Sequence, residues 1–148
     1  MQNSKEFQNL LELLDSDDET NIELALLLAE NHQEEFKAHF GHTVEQYKEL
    51  VEFLDTHNYP RYGKKLKKVQ HIGITSRNIT AIPEAIGILS NVVTAQFSYC
   101  PIEYLPESIG NLSGLVTLSL IQCDIKALPE NIGKLKQLET LQISSSQL

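Results

Sequence analysis

The sequence predicts an α+β chain, with a helical N-terminal region over residues 1–62 and a short right-handed solenoid of parallel strands over 63–148. Three observations carry this. A tripeptide returns every 23 positions as Ile82-Pro83-Glu84, Leu105-Pro106-Glu107 and Leu128-Pro129-Glu130. Each is followed by Ile-Gly, at Ile86-Gly87, Ile109-Gly110 and Ile132-Gly133. Between these copies runs an alternating apolar segment, clearest as Leu115, Leu118, Leu120, Cys123 and Ile125, and one period earlier as Val92, Ala95, Phe97, Cys100 and Ile102. A fixed period in the twenties marks stacked units, none of which can bury its own apolar face alone.

Each unit reads physically. The alternating segment predicts a strand with Leu and Ile directed into the stack. Proline has no N–H to give to a ladder, so the chain leaves the sheet at Pro83, Pro106 and Pro129. Gly87, Gly110 and Gly133 are expected to permit a tight turn on the convex side, with Leu89, Leu112 and Leu135 closing the core. A degenerate first copy uses Val69, Ile72, Ile74 and Ile79, with Arg77 at the position held later by Cys100 and Cys123. The last uses Leu138, Leu141, Ile143 and Leu148, with Ser146 at that position, making about 3.5 to 4 repeats.

Residues 1–60 lack the period and predict helices, which are expected to cap the solenoid and bury Val69, Ile72 and Ile74. Phe7, Leu10, Leu11 and Leu14 follow helical spacing. Thr20 and Glu23 read as a capping box ahead of Ile22, Leu24, Leu27 and Leu28. Thr43 and Gln46 read as another, ahead of Val44, Tyr47, Leu50, Val51 and Leu54. Gly41 stands where a left-handed C-cap is expected, and Pro60 ends the last helix. At the other end the repeat pattern breaks off after a strand, and either further chain or another molecule is expected to cover that edge.

Residues 64–148 resemble the 23-residue class of leucine-rich repeats carrying L-P-x-x-I-G-x-L-x-x-L, with the motif complete only in the middle of the span. The resemblance implies a binding scaffold, and another protein as its partner. A rival expectation is a sensor or scaffold fragment of a larger signalling enzyme (GTPase, kinase or ligase).

Charge is divided. Residues 1–60 hold 14 acids and 3 lysines, net −11, whereas 61–148 are net +3. Arg61, Lys64, Lys65, Lys67 and Lys68 form a basic run at the junction. The overall charge of −8 and the absence of an interleaved aromatic platform argue against nucleic acid. No apolar run is long enough to span a membrane. Cys100 and Cys123 read as free ladder thiols rather than a disulfide, which fits a reducing, cytoplasmic setting.

Phosphate-loop, dinucleotide-loop, HExxH, CxxC and nucleophile-elbow patterns are missing from the sequence, and no cofactor, metal site or enzyme activity is expected. His32, Glu35, His39 and His42 cluster in sequence but do not put two histidines on one helix face, so they read as surface or interhelical groups. A hydrolase built on His71 with Ser98 or Ser119 would lack an acid to orient the imidazole. Strand parity instead assigns a concave face for partner binding: His71, Thr94, Gln96, Tyr99, Thr117, Ser119, Ile121, Thr140 and Gln142. Thr94, Thr117 and Thr140 are expected to stack as a ladder, and Tyr99 and Ile121 to be the largest exposed groups. The open terminal strand suggests a homodimer.

Overall fold

The computed structural model describes residues 4–59 and 63–145. Pro60 as a helix stop, Arg61 in the basic run, and Ser146 and Leu148 in the last repeat lie outside the described residues. The chain divides into two compact units, 1–68 and 69–148.

The first unit is helical. α1 (Lys5–Leu14) starts at Ser4, whose hydroxyl accepts from the Phe7 N–H at 3.2 Å. Ser4 is itself held by Glu35, whose carboxylate accepts from its N–H at 2.8 Å and thereby stays below the usual carboxylate pKa, helped by His32. α2 (Glu19–Ala29) is capped by Asp18, which accepts from the Thr20 N–H at 2.9 Å. The capping box expected at Thr20 therefore does not form. An aspartate two residues upstream takes the N-cap, and Thr20 becomes the second helical residue. α3 (Gln33–Phe40) ends on Gly41 at φ 73°, the left-handed conformation glycine adopts without steric penalty. α4 (Val44–Thr56) opens with the Thr43–Gln46 capping box, both hydrogen bonds present. α5 (Gly63–Leu66) is a single turn. Phe36, Phe40 and Tyr47 pack ring on ring, with centroids 4.6 to 5.4 Å apart, and Phe7, Leu10, Leu50 and Leu54 are buried beside them in sequence-predicted core positions.

α2 is apolar on more than one face. It buries Ile22, Ala25 and Ala29, while Leu24, Leu27 and Leu28 are 45%, 68% and 39% exposed. The two alanines let the α2 backbone approach its neighbours closely, so the narrow alanine face turns inward and the leucines turn out.

The second unit is one parallel sheet in the order β1 (His71–Thr75), β2 (Thr94–Ser98), β3 (Thr117–Cys123), β4 (Thr140–Ser145). Ile74, Phe97, Leu120 and Ile143 stand in one register row. Phe97 and Leu120 are buried, but Ile143 is 42% exposed. β1, β2 and β3 are each followed by a 3₁₀ turn: Glu84–Ile88, Glu107–Asn111 and Glu130–Lys134. The preceding prolines hold φ between −56° and −67°, and their carbonyls accept from Ile86, Ile109 and Ile132.

Stacking explains the invariant acid in the tripeptide within this chain. Glu84 accepts from the Ser108 N–H at 3.3 Å and Glu107 from the Asn131 N–H at 3.1 Å, so each glutamate ties its turn to the next. The glycines act differently from expectation, since none of Gly87, Gly110 and Gly133 has a positive φ. A Cβ on Gly87 would lie 2.7 Å from the Ser108 carbonyl oxygen, and one on Gly110 would lie 2.4 Å from that of Asn131. They are glycine because the next turn packs directly on them. Gly133 has nothing within 4 Å of such a Cβ among the described residues.

Candidate functional site

Register places the expected binding residues in rows across the outer face of the sheet. His71, Thr94, Thr117 and Thr140 form the first, and His71 shares a 2.7 Å hydrogen bond with the Thr94 hydroxyl. Gly73, Gln96, Ser119 and Gln142 form the second. Thr75, Ser98, Ile121 and Ser144 form the third. These rows contain no acid and no base other than His71, which leaves the face polar and close to neutral.

Three of the expected residues behave otherwise than parity suggested. Ser119 is buried, at 6% exposure. Its short side chain lies between Gln96 and Gln142, and its hydroxyl donates to the Gln142 Oε1 at 3.4 Å, so the longer neighbours cover it. Ser98 is also buried, its hydroxyl accepting from the amide of Gln96 on its own strand at 3.2 Å. Ile121 is half-buried rather than prominent. Tyr99 is not in a row at all. It follows the end of β2 at φ 56°, and its ring is 53% exposed at the C-terminal rim of the sheet.

That rim turns on backbone geometry. Tyr99 and Gln122 are equivalent positions in consecutive repeats, and both adopt left-handed φ, 56° and 54°. For a bulky side chain this conformation costs on the order of 1–3 kcal/mol and persists only where the surroundings enforce it. The Tyr99 N–H donates to the Ile121 carbonyl at 2.8 Å, and the Gln122 N–H to the Ser144 hydroxyl at 3.1 Å. Just beyond each, a buried thiol turns inward: Cys100 donates to the Ser98 carbonyl and Cys123 to that of Phe97, at 3.4 and 3.5 Å. Both cysteines are free, and burial pushes the Cys123 thiol up. The left-handed residue thus lets the chain present a side chain outward at one position and bury a thiol at the next.

Arg77, Tyr99, Pro101, Gln122 and Asp124 line a hollow of about 380 Å³ at this rim. Arg77 is exposed, so it does not take the inward place that Cys100 and Cys123 occupy one and two repeats later. Arg77, Pro101 and Asp124 were not among the residues that parity selected. The break in alternation before each ladder position is the one sequence signal that could have found them.

The histidine cluster separates. His32 bonds to Glu35 at 3.0 Å, His39 packs edge-on against Phe7 and Phe40, and His42 is buried. Among the described residues no three His, Cys, Asp or Glu side chains are grouped to hold a metal ion. No helix among them is long and apolar enough to cross a membrane.

A comparison with curated proteins finds none that matches. A family model described as a leucine-rich repeat region matches residues 49–148, and such regions are in general non-catalytic modules for protein interaction. The match takes in all four strands, the three proline-led turns and the thiol positions of the ladder, and the chain belongs to the leucine-rich repeat family.

Proposed function

We propose that this protein is a non-catalytic, cytoplasmic binding scaffold that engages another protein through the outer sheet face and its C-terminal rim. The observation that carries this reading is Tyr99, a half-exposed aromatic ring held in a left-handed conformation over a hollow beside a nearly uncharged sheet. Aromatic anchors beside pockets are where interfaces concentrate their energy, and local strain gathers where a surface is shaped for a ligand. His71, Thr94, Gln96, Thr117, Thr140 and Gln142 supply the surrounding polar contacts and Ile121 an apolar one, with Ser119 bonded to Gln142 and Ser98 to Gln96. Two buried free thiols favour the reducing compartment.

Tyr99→Ala should weaken capture of a native partner from lysate at least tenfold, about 1.4 kcal/mol, with little change in melting temperature. Ile121→Asp should do the same. Glu107→Ala and Lys134→Ala, on the turn side, should bind normally. The reverse pattern would move the binding surface off the sheet face.

A second reading concerns self-association. Leu141 and Ile143 on β4 are each 42% exposed, although their register partners Leu118 and Leu120 are fully buried. An apolar strand flank of this kind invites pairing about a two-fold axis. A concentration-dependent dimer in light scattering, abolished by Ile143→Lys, is the expected result, and a monomer at millimolar concentration would defeat it.

A further inference from the structure

The outward leucines of α2 form a second surface, independent of the sheet. Leu24, Leu27 and Leu28 stand at i, i+3 and i+4, which places them on one helix stripe. Ile22, Ala25 and Ala29 occupy the opposite, buried stripe. A helix apolar on both sides is expected to be enclosed, yet this one presents three adjacent leucines to water. Burying them would remove apolar surface from water with no rearrangement of the core beneath.

The stripe is not flat. Leu28 lines a hollow of about 370 Å³ together with Leu10, Glu6, Asn9, Asn31 and His32, so an apolar side chain could enter between α1 and α2. Carboxylates flank both sides. Glu6 projects from α1 on the hollow's edge, its side chain 84% exposed. Helical geometry sets Glu23 and Glu30 along the other edge of the leucine stripe, where Glu30 also pairs with Lys48. The unit as a whole is net negative, since residues 1–68 carry 14 acids against 8 lysines and arginines. Such a surface repels anionic lipid and nucleic acid and attracts cations.

We propose that the α1–α2 face is a docking site for a basic amphipathic helix of a partner protein. Apolar residues of that helix would cover Leu24 and Leu27 and enter the hollow at Leu28. Its flanking Lys or Arg residues would meet Glu6 on one side and Glu23 on the other. A helix is the fitting occupant because the stripe has i, i+3, i+4 spacing and helical ridges seat into helical grooves.

The test uses the full chain and a fluorescein-labelled synthetic peptide with a leucine face flanked by lysines, read by anisotropy. Saturable binding is expected, weakening at least tenfold in Leu27→Gln and in the Glu6→Lys, Glu23→Lys double variant. Leu27 is mostly exposed and glutamine is a good helix former, so unchanged circular dichroism checks that the fold is intact. A peptide with its lysines replaced by glutamates should not bind, and Tyr99→Ala should bind the basic peptide normally, which separates this site from the sheet face. Equal binding by Leu27→Gln and the native chain would reduce the effect to charge alone and overturn the proposal. A native dimer that Leu27→Gln dissolves would also overturn it, by making a second copy the occupant.

Discussion

Gly110→Ala is expected to destabilise the repeat unit by about 3 kcal/mol or more, whereas Gly133→Ala should be neutral or stabilise it by about 0.5 kcal/mol. The two glycines occupy the same motif position one period apart. At Gly110 the added methyl would meet the Asn131 carbonyl oxygen at 2.4 Å and its Cβ at 2.8 Å, and backbone cannot rotate away as a flexible side chain can. The 3₁₀ turn at Glu130–Lys134 would have to shift outward, pulling the Glu107 carboxylate from the Asn131 N–H it holds at 3.1 Å. At Gly133 the methyl meets nothing within 4 Å among the described residues, φ is not positive, and alanine lowers the conformational entropy of the unfolded chain. Urea unfolding followed by circular dichroism compares them directly. Equal effects at both positions would mean that the motif glycine serves the turn's own conformation rather than the approach of its neighbour.

Phe97→Ala should cost about 3–5 kcal/mol, among the largest effects available in the sheet. Phe97 is 1% exposed, stands in register between Ile74 and Leu120, and its carbonyl accepts the Cys123 thiol. Truncation leaves a cavity at the centre of the stack that flanking strands cannot close without breaking their ladder. Ile143→Ala, two strands away in the same register row, should cost about 1 kcal/mol, because Ile143 is already 42% exposed. Thermal melts of the two variants read the gradient of burial along one row. A cost at Ile143 matching that at Phe97 would contradict the exposed β4 flank.

The repeat was legible because its causes are local and recur at a fixed period. Leu118 and Leu120 alternate into the core, Pro106 and Pro129 end the ladder, and Thr94, Thr117 and Thr140 stack in register as parity requires. The capping box at Thr43 and the left-handed Gly41 were readable for the same reason, since each acts within a few residues of itself. Asp18 displaced Thr20 through competition between two caps two residues apart, which spacing alone does not resolve.

What only the tertiary structure decided are relations between segments distant in sequence. Ser119 is buried because glutamines on both neighbouring strands lie over it, and a serine's own position cannot disclose that. Tyr99 left the expected row because a left-handed backbone at the strand end breaks alternation, bringing Arg77 and Asp124 to the same rim from the repeats on either side. α2 carries apolar residues on both of its faces, so its pattern had no preferred inward side. Close packing chose the alanines for the interior and left Leu24, Leu27 and Leu28 in water. Sequence by itself determined the architecture, whose forces act within one period, while the shape of both candidate surfaces was set by which neighbour came to lie against each residue.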